Sequence, residues 1–290
     1  MMVKAFAPAK INLTLDVTGR REDGYHLLCT VMQTVDWYDV VTVSSADDGA
    51  VTLNCDGGIP ADASNTAYKA AVLFRQAAGC ADRGFTVTVE KHIPSQAGLA
   101  GGSADAAGVL HALNELTGAG LSVVELCDIG AHIGADVPFC VRGGTVLCTG
   151  TGTELAPLPA LPDCTVVIVK PDGGVSTPEA YRLLDTAPVL LHPDTHGLCA
   201  ALQQGGLAGV AACVSNSFEQ PLALPHTAGI CSRLRAGGAL AAALSGSGSA
   251  VFGLFENAQT AAACADALAA TYAQIRVCHP CPGVKLEKTV

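Results

Sequence analysis

A run of small residues that opens onto a helical pattern is the most chemically suggestive stretch of this sequence. Pro94-Ser95-Gln96-Ala97-Gly98-Leu99-Ala100-Gly101-Gly102-Ser103-Ala104-Asp105 follows an alternating strand pattern at 85–90 and leads into the apolar spacing Ala106, Val109, Leu110, Leu113 and Leu116. Glycines let backbone N–H groups come close to an anion, and a helix N-terminus adds partial positive charge there. The run reads equally as a phosphate loop or as a tight turn with Ser103 as N-cap. The second reading accounts for Gly101 and Ser103 but not for the whole run. Ser103 can otherwise turn its hydroxyl toward a phosphate or a metal. No Gly-Lys-Ser or Gly-Lys-Thr follows, the third glycine of a dinucleotide fingerprint is missing, and protein-kinase signatures are absent.

Two further segments carry polar groups in apolar company. In Pro8-Ala9-Lys10-Ile11-Asn12-Leu13-Thr14-Leu15, a period of two sets Lys10, Asn12 and Thr14 on one face of a strand. A lysine beside an asparagine can address an anion, although by itself the pattern reads as an amphipathic strand with a solvated lysine. In Gly134-Ala135-Asp136-Val137-Pro138-Phe139-Cys140, an aspartate past a helix end is costly among apolar residues unless it is paired, used in chemistry, or spent on an Asx turn. Cys278-His279-Pro280-Cys281 is the one close cysteine pair, and no second pair follows to complete a zinc site. The other cysteines are scattered, and their total of 13 is odd, which points to reduced, buried thiols rather than a disulfide framework.

The elements that must hold these groups can be read from periodicity. Strands are expected at 3–7, 10–15, 40–43, 51–53, 85–90, 165–169 and 250–255. Helices are expected at 67–78, 103–116 and 259–273, and 239–244 looks helical or partly so. One more helix starts at Ser122, with Glu125 completing a capping box and Gly134 as the stop. The proline-rich 157–162 stretch is the candidate linker between two halves, and the mixed order of elements indicates α+β in each.

Composition bounds the function. With 290 residues, half of them hydrophobic, the chain has ample length for a core, and a net charge of −10 opposes binding along nucleic-acid backbones or anionic membranes. The uncharged 236–255 segment is long enough to span a bilayer but too rich in glycine and serine to do so. No signal peptide pattern opens the chain, and a soluble, cytoplasmic protein is expected.

Taken together the motifs resemble the GHMP kinases (galactokinase, homoserine kinase, mevalonate kinase and phosphomevalonate kinase relatives). The Pro-x-x-x-Gly-Leu-x-Gly-Gly-Ser run is similar to their phosphate loop. Ala7-Pro8-Ala9-Lys10-Ile11-Asn12-Leu13 followed by Asp23-Gly24-Tyr25-His26 is similar to a member that phosphorylates a sugar alcohol carried on cytidine diphosphate. Gly130-Ala131-His132-Ile133-Gly134-Ala135-Asp136-Val137-Pro138-Phe139 matches the second signature, and Gly143-Gly144-Thr145 with Gly150-Thr151-Gly152 and Glu154 resembles the hairpin after it. Leu244-Ser245-Gly246-Ser247-Gly248-Ser249-Ala250 resembles the C-terminal glycine motif. The resemblance spans 7–255, and five motifs in one order are far more specific than any one of them.

The resemblance implies an α+β two-domain fold: a ribosomal S5 domain 2-like half at 1–156, a ferredoxin-like half at 163–290, and a cleft between them. It implies an ATP-dependent small-molecule kinase using Mg²⁺, with Asp136 as general base and Lys10 as the group that polarises the hydroxyl or steadies the base. It assigns Pro94, Gly98, Leu99, Ala100, Gly101, Gly102, Ser103 and Ala104 to the ATP phosphates, and Asn65 and Lys91 to the neighbourhood of the adenine. Asn12, Tyr25, His26, Thr177, Tyr181 and Gly246 fall on substrate positions, with two aromatic faces and an imidazole around a cytosine. Ala97 and Ala100 stand where some relatives have glycine, and Ala104 where many have a second serine, which leaves Ser103 as the candidate metal contact. The partner implied is a small molecule, with no nucleic acid and no membrane, and the chain a monomer or weak homodimer. The alternatives are another kinase of the superfamily, acting on homoserine or a mevalonate, and a non-catalytic nucleotide sensor on the same fold. Tyr25 and His26 argue against the first, and the Lys10–Asp136 combination against the second.

Overall fold

A computed structural model describes residues 2–56, 58–174, 176–187, 190–222, 224 and 226–289. The chain opens with two long strands, β1 (Met2–Arg20) and β2 (His26–Ala46), followed by β3 (Val51–Cys55), α1 (Thr66–Ala77) and β4 (Gly84–Glu90). Next come α2 (Gly101–Thr117), α3 (Val123–Ala131), α4 (Val137–Arg142), β5 (Thr145–Thr149) and β6 (Glu154–Pro157). A second set begins with β7 (Thr165–Lys170), α5 (Thr177–Asp185), α6 (Thr195–Gln204), α7 (Leu207–Cys213), β8 (Ser215–Asn216) and α8 (Glu219–Leu222). It closes with α9 (Thr227–Ala236), β9 (Ala241–Leu244), β10 (Val251–Phe255), α10 (Ala258–Ala269), β11 (Gln274–Cys278) and β12 (Lys285–Thr289).

The strands form two sheets. One runs β12-β1-β2-β4-β3, with β5 on β2, β6 on β5 and the short β8 on β1; the other runs β11-β7-β10-β9 and is antiparallel throughout. The class is α+β. The last strand returns to the first sheet, Met2 facing Thr289, so the two ends of the chain are stitched together.

The two strands expected on either side of Pro8 are one. Proline cannot donate to the ladder, and β1 accommodates it at a register shift between Pro8 and Ala9; further shifts follow between Asn12 and Thr14 and between Val17 and Gly19. These shifts bend β1 across the molecule. Its outer half pairs with the end of β2 and with β12, and its inner half pairs with the start of β2 and with β8. Alternation fails as a guide in the inner half, because Lys10, Asn12 and Thr14 are as buried as Ile11, Leu13 and Leu15.

Within 239–244 the chain forms a strand, β9, and no helix. Ala241 to Leu244 pair with β10 and are buried, so the ladder and close packing override the helix preference of alanine. This strand and β10 account for most of the uncharged 236–255 segment, and among the described residues no helix is long and apolar enough to cross a membrane. The capping box at Ser122 and Glu125 is present, but α3 ends at a His132 cap, short of Gly134. The proline-rich 157–162 stretch is held against β5, with Leu158 N donating to Thr145 O at 3.0 Å and Leu161 buried.

Candidate active site

Three separated segments interlock at the centre of the molecule. Lys10 N on β1 donates to Leu99 O at 3.1 Å, and Ala250 N donates to Ala97 O at 3.0 Å. Ser245 Oγ donates to Gly98 O at 2.9 Å, and Gly246 N donates to the side-chain oxygen of Asn12 at 2.9 Å. Gly98 has φ +75°, and a Cβ there would lie 2.0 Å from the backbone oxygen of Ser245. No side chain fits, because two glycine-rich turns meet face to face. Asn216 on β8 fastens the C-terminal turn further, its amide donating to Leu244 O and Gly246 O at 2.8 Å each.

The small-residue run forms the turn before α2. Ala100 is the N-cap, in the left-handed region at φ 56° and without a side-chain capping bond, so Ser103 lies in the first turn and is not the cap. The first N–H groups of α2 lack intrahelical partners, as at any helix start, and the turn lines a cleft of about 1070 Å³. Beneath it sits a buried ionic cluster. Lys91 Nζ donates to Asp39 Oδ2 and, at 2.6 Å, to Asp105 Oδ2 on α2. Asp39 Oδ1 accepts from His92 N at 2.5 Å and Ile93 N at 2.8 Å. The cluster therefore ties β2 to both ends of the loop. Burial is the main cause that pushes the Asp105 carboxyl up to about 7; the charge of Asp39 adds to it and Lys91 opposes it. Burial favours a neutral Lys91, yet the two carboxylates outweigh it and its net shift is upward.

Lys10 is only 4% exposed, which overturns the solvated-lysine reading. Its Nζ donates to Asn12 Oδ1 at 2.6 Å, and Asn12 Nδ2 donates to Thr30 Oγ1 at 2.9 Å. Asp136 occupies the N-cap position of α4 but makes no side-chain capping bond. Both line the cleft, with no ion pair between them within 4 Å among the described residues. They share a neighbourhood nonetheless: burial raises the thiols of Cys140 and Cys148, the charge of Asp136 pushes both further up, and Lys10 pulls both down.

The far wall of the cleft is aromatic. His26 stacks on Tyr181 with ring centroids 4.4 Å apart and planes 22° apart, and Tyr181 meets Phe218 edge-on at 5.0 Å. Burial pushes the Tyr181 hydroxyl up to about 12, with Asp136 adding to it. Tyr25, at the tip between β1 and β2, is 66% exposed. Thr177 at the start of α5 lies 3.3 Å from Ser247, oxygen to oxygen, joining this wall to the C-terminal glycine turn.

The cleft thus gathers Lys10, Asn12, Tyr25, His26, Lys91, the 94–103 run, Asp136, Thr177, Tyr181 and Gly246. Asn65 and Ala104 do not line it. Asn65 caps α1, accepting from Ala67 N at 2.9 Å and donating to Pro60 O at 2.7 Å, while Ala104 is buried in α2. Residues that sequence reasoning passed over also hold the site: Asp39 and Asp105 around Lys91, Asn216 behind the second turn, and Arg20 and Asp185 beside His26. An aspartate on the apolar face of α2 was the one available signal for Asp105. No group of three or more His, Cys, Asp or Glu side chains suited to a metal occurs among the described residues, and all 13 cysteines are free.

The comparisons with known proteins agree on the fold. The GHMP kinases N terminal domain matches residues 65–144 and the GHMP kinases C terminal domain matches 198–274. The 4-diphosphocytidyl-2-C-methyl-D-erythritol kinase of Caldicellulosiruptor saccharolyticus is 41% identical over 271 residues, 92% of each chain. That of Clostridium perfringens is 42% identical over 264 residues, 90% of this chain and 91% of the other. A crystal structure of 4-(cytidine 5'-diphospho)-2C-methyl-D-erythritol kinase superposes with a TM-score of 0.80 at 36% identity, over 95% of this chain and 98% of that one. Homoserine kinase from Cytophaga hutchinsonii shares the fold, with a TM-score of 0.78 at 21% identity.

Proposed function

We propose that this chain, which belongs to the GHMP kinases and within them to the 4-diphosphocytidyl-2-C-methyl-D-erythritol kinase family, transfers the γ-phosphoryl group of ATP to the C2 hydroxyl of that sugar alcohol. The reaction belongs to the non-mevalonate route to isoprenoid precursors, and a cytoplasmic location suits it. The observation that carries this reading is that a single cleft is lined by the glycine turn and the start of α2, by Lys10 and Asp136, and by His26 and Tyr181. A homoserine or mevalonate kinase has no use for the aromatic end. We divide the chain into halves at 1–156 and 163–290, with the cleft between them.

In this reading the N–H groups at the start of α2 and along 98–102 hold the ATP phosphates. Asp136 orients the alcohol and accepts its proton late in a loose transition state, where positioning counts for as much as basicity. Lys10, fixed by Asn12, offsets the charge that develops on the attacking oxygen. Ser103 faces the cleft with no hydrogen-bond partner for its hydroxyl among the described residues, so it fits as the side chain that joins phosphate oxygens around Mg²⁺. When bound, that ion would neutralise the phosphates and steady the leaving group. Lys91 supports the loop through its two carboxylates. Tyr25 and Tyr181 offer faces, and His26 an edge, to the pyrimidine. The deciding assay compares ATP-dependent phosphorylation of the cytidine-bearing alcohol, homoserine and mevalonate. Turnover of only the first is expected; turnover of only the other two would end this reading.

A further inference from the structure

The aromatic end of the cleft contains a contact that the proposed reaction leaves unused. Asp185, the last residue of α5, lies 2.6 Å from His26 Nε2 through its Oδ1. Its other oxygen accepts from Arg20 Nη1 at 3.2 Å, and Arg20 Nε donates to Gly24 O at 3.0 Å. The carboxylate is therefore held from two sides by the hairpin tip between β1 and β2. A carboxylate only accepts, so the proton in the short bond sits on His26 Nε2. In the neutral form of the ring, Nδ1 then keeps its lone pair. That nitrogen has no hydrogen-bond partner among the described residues, while the ring lines the cleft with one face against Tyr181.

We propose that Asp185 is a positioning residue for choosing the pyrimidine: by fixing the His26 proton on Nε2 it makes Nδ1 an acceptor, which suits a base offering an amino hydrogen over one presenting a carbonyl at the same edge. Cytosine has the amino group and uracil the carbonyl. Arg20 keeps the carboxylate aimed at the ring and so takes part in the same device. The inference rests on the functional reading above, that a cytidine nucleotide is the handle of the substrate. Its content is different: the discrimination comes from a residue 159 positions away in the chain, acting through the histidine and not by touching the base.

The test measures kcat/KM for the cytidine-bearing alcohol and for its uridine counterpart in wild type, Asp185→Ala and Asp185→Asn, alongside nitrogen-15 NMR of the His26 ring. Loss of a charge-assisted bond to the ring predicts about a tenfold fall for the cytidine compound in Asp185→Ala, mostly in KM. The uridine compound and the KM for ATP should move less than about twofold, because neither depends on the acceptor. Asp185→Asn, whose amide oxygen accepts the same bond, should recover most of the preference. The NMR spectrum should show the proton on Nε2 in wild type and on both nitrogens in Asp185→Ala. Wild-type preference surviving in Asp185→Ala, equal loss in both variants, or a wild-type proton on Nδ1 overturns the inference alone. A wild-type protein that phosphorylates neither pyrimidine compound defeats the functional reading and this inference with it.

Discussion

Asp136 and Asp105 are both acidic side chains near one loop, and their surroundings give them opposite uses. Asp136 lies at the cleft with no side-chain capping bond, and its charge is felt by Tyr181, Cys140 and Cys148. A carboxylate left unpaired beside a cavity is available to a substrate proton. Replacing it in Asp136→Asn keeps the shape and removes the acceptor for the proton. Turnover should fall by about 10³-fold with the KM for ATP little changed; comparable turnover in that variant would remove Asp136 from the role of base. Asp105 is buried under the loop, and burial chiefly holds its carboxyl up near 7, above its ordinary value of 3.8. The folded state thus binds the proton more tightly than the unfolded chain does. This contribution to stability is complete below about pH 4 and is lost as pH rises through about 7. In Asp105→Asn that decline should be absent, so urea midpoints of wild type and variant should diverge steadily between those limits. Parallel midpoints across the range would show that Asp105 does not titrate there.

The elements explain which of these roles could be read from the sequence. Gly98, Gly101, Gly102 and Ser103 announce a turn and a helix start within a few residues of each other, so local chemistry made them legible. The partners of Lys91 were hidden, because Asp39 lies 52 residues away on β2, and no local pattern pairs them. Fold class was legible from the mixture of periods, and so were strands at 3–7 and 10–15, whereas their continuity in β1 was not, since a proline at a bulge separates them. The alanines at 241–243 point to helix for a related reason: alanine favours helix in isolation, and only the neighbouring β10 makes this segment a strand. The loop also contains a departure with a measurable consequence. Ala100 caps α2 in the left-handed region at φ 56°, where a Cβ is strained by about 1–2 kcal/mol. Glycine relieves that strain and gives back part of it through a freer unfolded chain. Ala100→Gly should therefore stabilise the protein by about 0.5–1 kcal/mol in urea denaturation. A lower midpoint would mean that the alanine methyl packs usefully despite its backbone.

At the scale of the whole molecule, the return of β12 to β1 was invisible in the sequence, because nothing in 285–289 distinguishes that strand from an edge of the second sheet. Net charge, in contrast, is fully legible and has consequences for the cleft. The chain carries −10, and its proposed substrates carry phosphates. Inside the cleft, Lys10, Arg20, Lys91 and Arg182 are positive, yet Asp39 and Asp105 offset Lys91, while Asp185 offsets Arg20. Binding must then come from short, directed contacts of N–H groups and Lys10 with the phosphates, while the field at longer range repels them. Salt screens the long-range part far more than the contacts, since the Debye length is about 8 Å at 0.15 M and the contacts are shorter than half of that. A site that steers anions inward loses kcat/KM steeply as salt is added. Here the expected change between low salt and about 0.2 M KCl is a rise of up to about twofold, at fixed free Mg²⁺ and with KM for both substrates followed separately. A steep fall for the cytidine compound alone would place an attractive field at the aromatic end and show that Arg20 and Arg182 outweigh the charge of the rest of the protein.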